Sequence, residues 1–154
     1  MDLEKLIAEI KKESKEEITK KAKITVVEIV NEFTNIYKTT DLFEKHKLMP
    51  WELLLRLSFA SIAGDNKLNR NEYELFCELT EGLIDRPTPK QLAEQIKDSD
   101  IKSTIHIIDD FVDVLGKKMA KLKEKLVLYA LCFVAIDGVI DDSELQLIRL
   151  LAQN

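Results

Sequence analysis

Apolar residues recur through most of this 154-residue chain at spacings of three and four, the period of helices with one buried face. Leu3, Leu6, Ile7 and Ile10 form a first stripe, and Ile29, Val30, Phe33, Ile36 and Tyr37 form a later one. Between them KKESKEEITKK is polar nearly all round, with Lys12–Glu16 and Glu16–Lys20 one turn apart. A helix of that kind projects into solvent or bridges other elements. The run ITVVEIV is β-branched and has strand character, but the periodicity on both sides favours a helix. The pattern therefore predicts helix over 2–38, with a break near Ala22. Residues 39–49 are expected to be a connector with a short helical turn. Pro50 suits the first position of a helix running to about Ala63, with Trp51 as a core anchor. Further helices are predicted from Arg70 to Leu83, from Thr88 (a cap, with Pro89 and Gln91 behind it), from Asp98-Ser99-Asp100 to Gly116, over 117–136, and from Asp142 to Ala152.

Two stretches repeat one another. In LSFASIAGDNKLNRNEYELFCEL and YALCFVAIDGVIDDSELQLIRL, Asp65 aligns with Asp137, Leu68 with Ile140, Asn69 with Asp141, and Glu72 with Glu144. If Asn69 and Asp141 are N-caps, Glu72 and Glu144 fall at the third helical position, which makes a capping box each time. Leu68 with Tyr73, and Ile140 with Leu145, have the spacing of a hydrophobic staple. Gly138 suits the left-handed position after a helix end, and Asn66 is the next-best residue there. Each half is thus expected to be helix, tight turn, helix.

Asp65 and Asp137 are less well explained by capping, because an acid at a helix C-terminus faces the negative end of the dipole. Two readings stand side by side. In one, the acids form local turns and caps. In the other, Asp65, Glu72, Asp137, Asp141 and Glu144 ligate a divalent cation. Hard oxygen donors without His or Cys favour Ca²⁺, Mg²⁺ or Mn²⁺. The two readings compete, since one Glu oxygen cannot easily serve both a cap and a metal. An EF-hand is excluded: its twelfth loop position requires Glu, and counting from Asp65 or Asp137 reaches Phe76 or Ile148.

The stretch Ala135-Ile136-Asp137-Gly138-Val139-Ile140-Asp141-Asp142-Ser143-Glu144 resembles the A-x-D-G-x-[IL]-x-x-x-E pattern of the bacterial tellurite-resistance TerB family. The same helical domain occurs at the N-terminus of DjlA-type DnaJ co-chaperones. The resemblance covers roughly Pro50 to Asn154. The first copy departs from it: Gly64 precedes Asp65, Asn66 takes the Gly position, and Arg70 stands where the second copy has Asp142. Pattern and resemblance together imply an all-α TerB-like fold of about seven or eight helices, its TerB-like domain over 50–154 built from two pseudo-symmetric helix-turn-helix halves. Residues 1–49 become an N-terminal helical extension: either a docking arm or dimer helix, or a cover for the domain. The function implied is that of a non-enzymatic stress-response domain in the cytoplasm, which binds divalent metal and engages protein partners, membrane-associated ones among them. A metal-independent interaction scaffold is the alternative.

Composition narrows the remaining classes. Charged residues at 33% and apolar residues at 45% describe a folded chain, and only four Gly and three Pro favour helices over a turn-rich β fold. A net charge of −5 speaks against non-specific nucleic-acid binding. The longest apolar run, Leu126 to Ile136, is far short of the roughly 20 residues of a bilayer span, so it predicts a buried core helix. Asp2 and Glu4 do not suit a signal peptide. Cys77 and Cys132 lack metal-ligand spacing and are expected to be buried thiols of a cytosolic protein. His46 and His106 stand alone in the sequence, and no Ser or Cys nucleophile motif accompanies them. Asp109, Asp110 and Asp113, and the lysines from Lys117 to Lys125, are expected to be solvated faces.

Overall fold

Two helix starts are written into the first twenty residues. Asp2 caps α1 (Leu3–Ile10), accepting from the Lys5 amide at 3.1 Å. Ser14 opens α2 (Lys15–Thr39) with a full capping box: the Glu17 amide donates to Ser14 Oγ at 3.2 Å, and the Ser14 amide donates to Glu17 Oε1 at 3.1 Å. The expected break thus falls before Ser14 and not near Ala22, which is fully buried in mid-helix. The polar stretch also hides a seam. Ile18, Ala22, Val26, Ile29, Phe33 and Ile36 are buried one turn apart along α2.

The computed structural model describes residues 1–63, 68–138, 140 and 142–153. After α2 come a single-turn α3 (Leu42–Lys45), α4 (Pro50–Ile62), α5 (Arg70–Leu79), α6 (Pro89–Lys97), α7 (Ile101–Leu115), a 3-10 turn (Gly116–Lys118), α8 (Met119–Ala135) and α9 (Asp142–Gln153). Eight helices of two turns or more, and no strand among the described residues, make the chain all-α, as the pattern predicts. No helix is long and apolar enough to cross a membrane among the described residues. Helix α5 stops earlier than expected. Thr80 turns its Oγ1 back to the Phe76 carbonyl at 2.7 Å, and Gly82 follows with φ +83°.

Helix α8 is the axis of the fold. From Leu126 to Ile136 every side chain but the half-buried Leu128 is buried, and α1, α2, α4, α7 and α9 pack around it. The expected core helix is therefore present. The largest helix–helix contact among the described residues is the one between α2 and α8. Apolar side chains of residues 1–49, among them Ile7, Ile10, Ile29, Phe33 and Phe43, belong to the same hydrophobic cluster as those of α4 and α8. Edge-to-face rings extend it: Phe33 on Phe43 at 5.7 Å and Phe43 on Phe111 at 5.0 Å between centroids. A polar link crosses the interior, where Tyr129 Oη and Ser58 Oγ share a hydrogen bond of 2.6 Å between α8 and α4.

Two surface expectations change. Trp51 is not a core anchor: it is 48% exposed in the first turn of α4. The lysine face is not uniformly solvated. Lys117, Lys118 and Lys121 are exposed, but Lys125 lies 3.2 Å from Glu28 and Lys123 is buried.

Candidate functional site

The second of the paired turns follows α8, while residues 64–67 of the first lie outside the described residues. Asn69 caps α5 as the spacing predicts. The Glu72 amide donates to Asn69 Oδ1 at 2.8 Å, and the Asn69 amide donates to Glu72 Oε1 at 3.1 Å. Glu72 is buried, and Leu68 and Tyr73, the expected staple residues, both pack against the core. In the second turn the Gly138 amide closes onto the Ala135 carbonyl at 2.9 Å. Gly138 has φ +80° and open space where a Cβ would stand, so its backbone conformation selects glycine here, not crowding.

Besides the packing of α4 on α8, one side chain links the cap of the first half to the turn of the second. Asn69 uses its carbonyl oxygen to cap α5 and its amide nitrogen to donate to Asp137 Oδ2 in the second turn. This answers the electrostatic question raised by Asp137. The exposed carboxylate follows the negative C-terminal end of α8, yet it is held at the N-cap of α5, whose dipole presents its positive end there. Asp137 is compensated by a neighbouring helix start and an amide donor.

Of the five acids singled out, Asp65 and Asp141 lie outside the described residues. Glu72 has one carboxylate oxygen on a backbone amide, Asp137 has one on Asn69, and Glu144 is half-buried in the first turn of α9. Among the described residues no three His, Cys, Asp or Glu side chains converge as a metal would require.

Two other constellations were invisible in the sequence. His46 is not isolated: it is half-buried, and its Nε2 lies 2.7 Å from Asp110 Oδ2. Lys45 Nζ approaches the same oxygen at 3.2 Å, and the exposed His106 ring lies 6.5 Å from that of His46. The bond to His46, and then that to Lys45, hold the Asp110 carboxyl below its ordinary range. Asp110 thus leaves the expected solvated acid face. The second constellation is a cleft of about 620 Å³ beside Trp51, between α4, the loop after α5, and the junction of α6 and α7. Composition offered no signal for it beyond the single tryptophan.

Neither cysteine has the environment of a nucleophile. Both are free thiols and buried, and desolvation pushes Cys132 up to about 12. Comparison of the chain with protein-family models, with curated proteins and with solved structures finds no match.

Proposed function

We propose that this chain is a non-enzymatic, TerB-like helical interaction module whose acidic turns brace its two halves without needing a metal. The observation that supports this most is the double use of Asn69. Its two polar atoms join the start of α5 to the Asp137 turn, while the paired Glu72 is committed to the Asn69 amide. Acids engaged in this way are structural, and the module's work falls to its exposed surfaces. Two buried free thiols suit a reducing compartment, so a cytoplasmic setting belongs to the proposal.

A second reading has one observation in its favour. The same bond sets an acid of the second half against the first half, where a cation shared between the turns would sit. In that reading the module binds Ca²⁺, Mg²⁺ or Mn²⁺, and the metal supplies charge neutralisation to the clustered carboxylates.

Calorimetric titration of each ion into chelator-treated protein separates the two. The brace reading expects no saturable heat, the same melting temperature with and without chelator, and an Asp137→Asn variant within about 0.5 kcal/mol of the parent. Saturable heat that disappears in Asp137→Asn decides for the cation.

A further inference from the structure

Exposing a tryptophan to water forgoes one of the largest apolar gains a side chain offers. Trp51 is the chain's single Trp, and it stands 48% exposed on the wall of the 620 Å³ cleft. Leu55 and Phe59 continue that wall one and two turns along α4, and Ile84 and Pro87 also line the cleft. The polar part is acidic among the described residues: Asp85, Asp98 and Asp100 against one cation, Arg56. Asp100 caps α7 through the Ser103 amide at 3.0 Å. The side chains of Asp85 and Asp98 have no hydrogen bond or ion pair with any described residue. A second concavity, of about 580 Å³, shares Ile84 and Asp85 with the first and adds Glu81 and Arg86, together with Glu74, which pairs with Arg70 and Lys15, and Glu78, which pairs with Lys23. The indole and the carboxylates of Asp85 and Asp98 thus border one concavity, and Asp85 also borders the next.

That combination fits a cation and an apolar group carried on the same ligand. A Lys or Arg head over an indole face gains a cation–π contact, and carboxylates at the rim meet further positive charges. Two adjoining concavities suit a chain more than a single small cation. We infer that the Trp51 cleft is the docking site for a basic, amphipathic segment of a partner protein, with one Lys or Arg side chain laid on the Trp51 ring and its neighbours facing Asp85 and Asp98. The inference rests on the reading of the chain as an interaction module, and it is independent of the brace between the turns.

The single tryptophan is its own reporter. A dodecapeptide of alternating Lys and Leu, titrated into the full chain, should shift Trp51 emission saturably. Its affinity should fall about tenfold between low and high salt, because the rim charges are exposed. Trp51→Ala, followed by calorimetry, should weaken binding about tenfold or more. The double variant Asp85→Asn/Asp98→Asn should also weaken it about tenfold, with an unchanged melting temperature. The control double variant Glu9→Gln/Glu32→Gln, on exposed positions of α1 and α2, should bind like the parent. Four results overturn the inference: no saturable shift, equal binding of a Glu-for-Lys peptide, equal weakening by the control variant, or equal saturation by tetramethylammonium. A concentration-dependent dimer that excludes the peptide also overturns it, in favour of a second copy as occupant. Failure here with Asp137→Asn still neutral removes the cleft and leaves the brace.

Discussion

At the scale of single residues, the side chains with unusual chemistry are those whose surroundings come from distant parts of the chain. Cys132 lies in α8 with no accessible surface, and desolvation moves its thiol up to about 12. The native protein should therefore resist iodoacetamide at Cys132 near pH 8, with labelling at least about a hundredfold slower than in urea, as peptide mass mapping would show. Asp110 moves the other way, held down by His46 and Lys45. A carboxyl whose pKa falls on folding stabilises the fold above its unfolded value and withdraws that contribution as pH falls through the folded one. Urea midpoints should accordingly drop between about pH 5 and pH 2, and Asp110→Asn should flatten part of that drop. The burial of Cys132 is legible in the apolar run that holds it; the partners of Asp110 are not. His46 and Asp110 look like solvated residues until α3 is laid against α7.

At the scale of elements, caps proved the most legible feature and also the source of one error. The boxes at Asn69 and Thr88 stand where spacing alone puts them. The Ser14–Glu17 box follows the same rule, but it sits within a run so polar that the break is expected eight residues later, at Ala22. Polar flanks concealed a narrow apolar seam, since one buried position per turn is enough to seat a helix against α8. Asn69 tests how much two elements owe to one side chain. Asn69→Ala should destabilise the protein by about 1–2 kcal/mol in urea, through loss of the cap and of the contact to Asp137. Asn69→Ser keeps a capping oxygen and loses the amide, so the difference between the two variants isolates the cap, and the residual loss in Ser isolates the brace.

At the scale of the whole molecule, the N-terminal helices are built into the core. Phe33 is buried among Phe43 and the residues that α2 presses on α8. Phe33→Ala should cost about 3–5 kcal/mol in urea unfolding, a large fraction of the roughly 5–15 kcal/mol that holds a domain folded. A chain starting at Met49 should lose its cooperative urea transition, as followed by circular dichroism at 222 nm, because it leaves the α2-facing side of α8 in water. Retention of a sharp transition would show that residues 50–154 fold on their own.

The amino-acid sequence by itself determined what depends on neighbours three or four residues apart. Helix number, most helix starts, the Asn69 cap and the burial of the Leu126–Ile136 run all follow from local periodicity and local capping, which need no knowledge of the far side of the molecule. Only the tertiary structure decided which faces meet. It put Trp51 at a cleft, where its size and position on α4 alone suggested the core, and paired His46 with Asp110. It seated α2 on α8 and gave Asp137 the start of α5 as its counterweight. Those outcomes depend on the packing of one helix face against another, and a side chain's partner across such a contact is not encoded in its own neighbourhood.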